Sequence, residues 1–496
     1  MTLGKLMLII GIAALVLTLI AQLFFKKVKN WPMSYLQNFA GALFIFSGWV
    51  KAIDPLGTAY KMEQYFAEFE STFDGTWFSF IAPMFPWLSN YAVAFSVFMI
   101  VLEIALGVML LVGAMRKFTA WVFFIIVAFF TFLTGFTFLT GYVPDGVNFF
   151  QFGQWGPYIE TNMKVTDCGC FGDFIKLKPK TSFLKDVFLL IPAILFIIGY
   201  KQKHQLFSAG MRLVLTGLTI AGVTLYSFSN FSWDLPHTDF RPFKEGVNIA
   251  ERKALEEEAA GNVEILAYKM TNKSTKEVIE LPFDQYMKEF KKYPKEEWDL
   301  EQIQTEPTVA HTKISEFEVS DEEGNDVTED ILSEPGYSFM IVAYKLYGKE
   351  GKDLQMVTDT IYQTDTIRVS PDSFYLEKVV MATDKRQIEV ASYNWDEKYA
   401  QPWTAIVNPI MASAEKDGFK TYAITAYSDY SRIDDFRHAT QSAYPFYTAD
   451  DILLKTIVRS NPGLVLLKNG LIIKKWHYKK LPSYDDIKAK YIQAGN

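Results

Sequence analysis

Apolar residues dominate the chain up to about Ser229. Beyond Asp234 they give way to short alternating runs broken by charge. A helix needs about 20 mostly apolar residues to cross roughly 30 Å of hydrocarbon. The stretches 3–25, 35–53, 91–113, 118–141, 183–200 and 211–229 meet that requirement, which predicts about six spans. A further aromatic stretch, 77–88, is interrupted by Pro83 and Pro86 and reads as a re-entrant or interfacial segment. The first run is too long for a signal-peptide core. It also lacks a small-residue cleavage site before Lys26 and Lys27, so it reads as a retained span.

Basic residues in the short loops set an expected orientation. Lys26, Lys27 and Lys29 follow the first span, Arg116 and Lys117 join the third and fourth, and Lys201, Lys203 and Arg212 join the fifth and sixth. All three loops fall on one side of a six-span arrangement, which is then the cytoplasmic side of a bacterial inner membrane. Both termini, the loops 61–90 and 142–182, and everything after 230 are expected on the periplasmic side. Lys176, Lys178 and Lys180 run against this rule, but Asp167 and Asp173 stand beside them.

The polar half predicts a different architecture. Residues 252–260 read as a short charged helix, 263–270 and 277–281 as strands around the turn Asn272-Lys273-Ser274, and 283–293 as an amphipathic helix. From 314 the predicted order is an alternating strand at 314–319, a turn over 321–327, an apolar strand at 337–346, a helix at 403–416, a strand at 419–426 and a helix at 434–442. A hairpin follows, turning at Asn469-Gly470, and then a helix at 485–492. Asn-Gly between two apolar runs is the strongest short hairpin signal. Residues 347–395 interrupt this order, and such a long insertion is expected to carry structure of its own, with strands at 357–369 and 374–383.

The mean hydropathy of +0.08 therefore averages two unlike halves. The net charge of −7 and the lack of any basic stripe argue against nucleic acid as a partner. The lipid bilayer is one expected partner. An extracytoplasmic protein or thiol substrate is the other. The chain has only two cysteines, Cys168 and Cys170, so a four-cysteine zinc site and a disulfide within the C-terminal half are both excluded, and no metal site is assigned. The expected orientation puts both thiols in the oxidising compartment.

Asp167-Cys168-Gly169-Cys170-Phe171-Gly172-Asp173 is the candidate chemical site. Gly169 permits the backbone angles a tight ring needs. A Cys-X-Cys disulfide closes a very small loop with departures from relaxed geometry, which makes it more reducible. The competing readings are a structural staple, which in so small a ring removes little chain entropy, and a soft-metal site for an ion such as Cu(I). Asp167 and Asp173 raise the thiol pKa unless a cation offsets them, and Lys164 and Lys176 are nearest in sequence. Glu103 lies mid-span, where an ionisable group is costly and faces a partner. Lys51 is the simplest partner, either fixing helix register or relaying protons.

The segment from Phe39 through Gly48-Trp49-Val50-Lys51 to Asp54-Pro55 resembles the first core helix of the DoxX-like membrane family. Leu102-Glu103-Ile104-Ala105-Leu106-Gly107 matches that family's next helix, and Cys168-Gly169-Cys170-Phe171-Gly172 resembles the motif of its MauE-type branch. The resemblance covers about 35–200. It implies a four-helix core and a membrane thiol–disulfide role, with a quinone as an implied cofactor. This chain departs from the pattern in an extra span at each end of the core and in having no second cysteine pair. No residue identifies a quinone site. The order of elements after 314 resembles a thioredoxin-like fold of the TlpA type, and Ser460-Asn461-Pro462-Gly463 falls where that fold carries a cis proline. The resemblance implies a peptide-binding groove at Asn461, Pro462 and Gly463. The dithiol expected near Gln401-Pro402-Trp403-Thr404 is absent.

The expected organisation is a transmembrane domain at 1–230, a connecting subdomain at 231–306 and a thioredoxin-like domain at 307–496. The expected function is membrane-bound thiol–disulfide redox work or assistance to disulfide formation, with the C-terminal domain binding a partner or substrate. A non-enzymatic scaffold subunit is the alternative, and a transporter ranks last because paired interrupted helices are lacking.

Overall fold

The computed structural model describes residues 2–165, 169–275, 277–370 and 373–493. Asp167 and Cys168 lie outside the described residues. The chain divides into two compact units. One comprises Met1–Val247, Glu251–Glu316 and Thr456–Ser460; the other comprises Asn248–Ala250, Phe317–Lys455 and Asn461–Asn496.

The first unit is a helical bundle with a small sheet. Its helices are α1 (Leu3–Leu23), α2 (Trp31–Ile53), α3 (Pro55–Phe73), α4 (Met84–Ser89), α5 (Ala92–Val112), α6 (Arg116–Thr140), α7 (Pro179–Ile198) and α8 (Ala209–Phe228). Five of them are long and apolar enough to cross a membrane, and α2 with α3 adds a sixth candidate as a pair bent by 95°. The protein is thus a membrane protein by the length and composition of its helices. The bend is built by Asp54 and Pro55. The Asp54 carboxylate caps α3 by accepting from the Gly57 N–H at 3.1 Å, and Pro55 occupies the first turn, where no N–H is needed.

Close approach of α2 and α5 rests on glycine. A Cβ on Gly41 would stand 2.9 Å from the Gly107 carbonyl oxygen, and one on Gly48 would stand 2.5 Å from the Ile104 side chain. Small residues at such crossings replace the hydrophobic drive that lipid does not supply. The interfacial reading of 77–88 corresponds to a 3-10 turn at Ser79–Ile81 followed by α4. The loop expected at 61–90 is largely helical instead. Its first part, 61–73, belongs to α3, whose charged positions kept its hydropathy low while Tyr65 and Phe69 pack inward against Phe85 and Phe136.

Beyond the bundle come α9 (Ile249–Gly261), β1 (Ile265–Asn272), β2 (Val278–Pro282), α10 (Phe283–Glu289) and β3 (Trp298–Gln304). The strands form an antiparallel sheet ordered β2-β1-β3. Glu256 on α9 ties the following segment down by accepting from the Thr312 N–H and hydroxyl, each at 2.7 Å.

The second unit contains α11 (Thr328–Leu332), β4 (Tyr337–Ala343), β5 (Gly348–Ser370), β6 (Ser373–Trp395), α12 (Glu397–Pro402), α13 (Asn408–Lys416), β7 (Lys420–Thr425), α14 (Tyr430–Thr440), β8 (Phe446–Thr448), α15 (Asp451–Ile457), β9 (Gly463–Lys468), β10 (Leu471–His477) and α16 (Tyr484–Ile487). Its main sheet is ordered β10-β9-β4-β7-β8. β4, β7 and β8 run parallel, while β9 and β10 form the antiparallel hairpin around Asn469 and Gly470. Every residue of β4 is buried, as a central strand covered on both faces requires. The Asn461–Pro462 bond is cis. The insertion folds as a two-stranded antiparallel ribbon of 23 residues per strand, longer than the strands expected at 357–369 and 374–383.

One expected strand is absent. Residues 313–316 form a turn and 317–319 have no regular structure, although Ile314, Phe317 and Val319 are all buried, and bridging is confined to Ser320, which pairs with Asp326 and with Thr448. The alternation reflected burial of a folded-back loop rather than a pleated edge.

Candidate functional site

The site assembles where α2, α5, α6 and α7 meet the loop that precedes α7. Lys51, near the end of α2, is 6% exposed and Glu103, midway along α5, is 2% exposed. Their Nζ and Oε1 atoms are 2.5 Å apart. The Lys51 ammonium also lies 5.1 Å from the centre of the Phe130 ring on α6. Ser47, one turn before Lys51 on the same face, bridges this pair to the cysteine loop. Its hydroxyl stands 3.2 Å from Glu103 Oε2 and donates to the Cys170 carbonyl oxygen at 2.8 Å.

The loop is shaped by two left-handed glycines, Gly169 at φ +58 and Gly172 at φ +52. Phe171 between them is 1% exposed and anchors the loop among Phe46 and the bundle core. Cys170 is half-buried and carries a free thiol. A second ion pair stands on the far side. Lys185 Nζ lies 2.6 Å from Asp186 Oδ1, and Asp186 Oδ2 accepts from the Thr134 hydroxyl at 3.1 Å. The Lys185 ammonium is also 5.6 Å from the centre of the Phe171 ring.

Sequence proximity had pointed to Lys164 and Lys176 as the cations beside the cysteines. Lys164 instead pairs with Asp145 at 3.3 Å, and Lys176 with Asp173 at 3.7 Å. The charges that bear on the Cys170 sulfur are Lys185, Asp186, Lys51 and Glu103. Ser47, Thr134, Lys185 and Asp186 were missed from sequence. The signal for the last two was present, because an adjacent Lys-Asp inside the first turns of an apolar span is costly unless paired.

Asp173 is claimed from a further direction. Arg459, in the Thr456–Ser460 segment of the same unit, is 4% exposed. Its Nε donates to both Asp54 oxygens at 3.0 and 2.9 Å, and its Nη2 approaches Asp54 at 2.8 Å and Asp173 at 3.6 Å. The Tyr60 ring lies 5.1 Å from the guanidinium. Bidentate geometry of this kind fixes position as well as charge.

Burial is the largest influence on the Cys170 thiol and pushes its pKa up, with Lys185 opposing and Asp186 reinforcing. A raised pKa leaves little thiolate at neutral pH. In a Cys168→Ser background, alkylation of Cys170 is therefore expected to be slow at pH 7 and to keep rising with pH into the alkaline range without levelling off near neutrality. Maleimide labelling followed by mass measurement across pH checks this. Half-maximal reactivity below pH 8 contradicts it.

In the second unit, Asn461 spends its side chain internally. Its Nδ2 donates to the Lys345 carbonyl at 2.6 Å, and its Oδ1 accepts from the Tyr399 hydroxyl at 3.4 Å. Gly463 pairs with His477 on one side and Val342 on the other, at the centre of the sheet. Trp403 is fully buried and packs against Phe436 and Phe446, with ring centres 5.1 and 5.8 Å away. Among the described residues, no cluster of three or more His, Cys, Asp or Glu side chains is placed to hold a metal ion. No family model, curated protein or solved structure matches this chain.

Proposed function

We propose that this is a membrane thiol–disulfide redox protein in which Cys168 and Cys170 form the working pair, with the second unit a thioredoxin-like binding module that has no dithiol of its own. The observation that carries the reading is the seating of Cys170 between two buried ion pairs, Lys51–Glu103 and Lys185–Asp186, with Ser47 linking one of them to the cysteine loop. Paired charges of this kind suit a sulfur that changes between thiol, thiolate and disulfide.

In the reaction, one of the two pairs, Cys168 with Cys170 or that of a partner protein, is oxidised from two thiols to a disulfide while the other is reduced from a disulfide to two thiols. Two electrons and two protons pass from one pair to the other. The raised pKa of Cys170 favours Cys168 as the sulfur that joins the partner in the mixed disulfide; in the direction that reduces the partner, Cys170 then loses its proton, attacks the Cys168 sulfur and releases the partner's remaining sulfur as a thiolate. Cys170 packs against the apolar core of the bundle, beside Phe46 and Phe174, while the two ion pairs supply the charges that bear on its sulfur, and either a protein disulfide or the quinone that the resemblance implies is a fitting exchange partner. The DoxX-like resemblance of 35–200 adds to the reading, and the expected periplasmic placement of the loop supplies an oxidising setting.

The test is thiol trapping in native membranes across defined redox potentials. A single reversible two-electron transition between about −300 and −120 mV is expected, the range spanned by exchange-active pairs. Loss of one cysteine should abolish it. No exchange anywhere in that window would sink the proposal.

A second reading has an observation of its own. The indole of Trp403 fills the region where a dithiol would sit, and the long β5–β6 ribbon presents unpaired strand edges. These favour a docking subunit of an envelope complex. A partner that co-purifies with a Cys168→Ser/Cys170→Ser variant, and is lost when 349–394 is removed, would support it.

A further inference from the structure

The bundle end that carries the basic loops is built with unusual rigidity. Gly113 closes α5 in the left-handed region at φ +69, and a Cβ there would stand 2.0 Å from the His204 carbonyl oxygen. Gln37 and His204, both fully buried, clasp the two loops together. The His204 N–H donates to Gln37 Oε1 at 3.1 Å, Gln37 Nε2 donates to the Leu110 carbonyl at 2.6 Å, and the His204 ring meets the Leu111 carbonyl at 2.9 Å. Arg116 Nη1 donates to the carbonyls of Lys201 and Lys203 at 3.0 and 3.4 Å, and Lys203 Nζ returns a bond to the Arg116 carbonyl at 2.9 Å.

Beside this frame lies an open cavity of about 400 Å³, lined by Met115, Arg116, Lys117, Phe118, Tyr200 and Gln205. Its charge is one-sided. The stretches 113–118 and 199–213 contain Arg116, Lys117, Lys201, Lys203 and Arg212 and not one Asp or Glu. Among the described residues, none of these cations is in an ion pair. Lys203 is 1% exposed, with its ammonium 5.4 Å from the Phe196 ring. Burial, followed by the Arg116 charge, pulls its pKa down to about 8. Clustered, partly desolvated cations without a counter-charge call for an anion.

The apolar surroundings identify which anion. Phe118, Trp121, Ile125, Phe129 and Phe132 on α6 are all exposed, 38–60% by residue. Their spacing places them on one face of the helix, as a stripe running away from the cavity. We infer that this cavity is a binding site for the phosphate headgroup of an anionic phospholipid, with one acyl chain lying along the exposed α6 stripe. A free phosphate would meet the cations alone, whereas a lipid meets both the cations and the apolar stripe that leads away from them. Basic pockets between membrane helices recognise headgroups through the same electrostatics.

The test uses the full chain in detergent micelles and native mass spectrometry, with phosphatidylglycerol and phosphatidylcholine supplied at equal concentration. Phosphatidylglycerol is expected to be retained preferentially. Lys117→Glu reverses an exposed charge at the cavity without touching the Arg116 backbone bonds. It is expected to cut phosphatidylglycerol retention by about thirtyfold, the equivalent of roughly two charges at the membrane surface. Lys27→Glu, in a basic loop outside the cavity, should leave retention unchanged, and Lys117→Ala should lose less than the reversal. Equal retention of the two lipids would overturn the inference, as would wild-type retention by Lys117→Glu. Displacement of phosphatidylglycerol by equimolar inorganic phosphate would also overturn it, in favour of a soluble-anion site.

Discussion

Replacing Lys51 with Met is expected to destabilise the helical unit by about 3–5 kcal/mol, because Glu103 is then left charged and alone in the bundle. Both side chains are buried, and the Ser47 hydroxyl is a further polar neighbour of the Glu103 carboxylate. Removing Glu103 instead strands the ammonium and should cost a similar amount. Replacing both, as Lys51→Met with Glu103→Leu, is expected to recover most of the loss, since an apolar pair of similar volume removes the desolvation cost along with the attraction. Thermal unfolding of the solubilised protein measures all three. The double variant also separates two roles. If its thiol exchange matches wild type, the pair only fixes the register of α2 against α5; if exchange fails while stability returns, the pair moves protons. A double variant no more stable than either single one would refute the ion-pair account.

The second large effect is expected at Trp403. It is fully enclosed, with Tyr399, Phe436 and Phe446 around it. Trp403→Ala opens a cavity in the centre of the second unit and is expected to cost about 3–5 kcal/mol. Trp403→Phe should cost much less, because it keeps most of the ring volume. Limited proteolysis within 317–455 reads the loss directly, as does the unfolding midpoint of that unit. A cost below about 1 kcal/mol for the alanine variant would show that the core collapses around the gap.

Much of this architecture was legible because long apolar runs have one physical meaning in a bilayer. The expected spans at 91–113 and 118–141 differ from α5 and α6 by only a residue or two at most ends. The pairing of Lys51 with Glu103 was legible for the same reason, since two lone charges in neighbouring spans have few other partners. A local signal also sufficed at Asn469-Gly470, where the turn chemistry is specific, whereas the cis bond at Asn461–Pro462 was expected from the thioredoxin-like resemblance alone. Other features escaped. β8 is three residues long and α15 seven, too short for any period to emerge. α3 was hidden by its charges. The strand expected at 314–319 failed because burial of Ile314, Phe317 and Val319 came from a loop packing on its surroundings. The polar lining of the cysteine site was only half read. Lys185 and Asp186 are remote from Cys170 in sequence, and only the packing of α6 against α7 brings Thr134 and Asp186 together.

The β5–β6 ribbon has a consequence of scale. Strands of 23 residues, at about 3.3 Å of rise per residue, extend roughly 75 Å from root to tip, whereas a bilayer with its headgroups measures about 45 Å. The charged side chains along it, such as Lys352, Asp359, Arg386 and Glu389, discourage edge-to-edge strand pairing between neighbouring molecules. The arm can therefore stay solitary at high surface density, and its tip lies farther from its root than any ordinary connecting loop could reach.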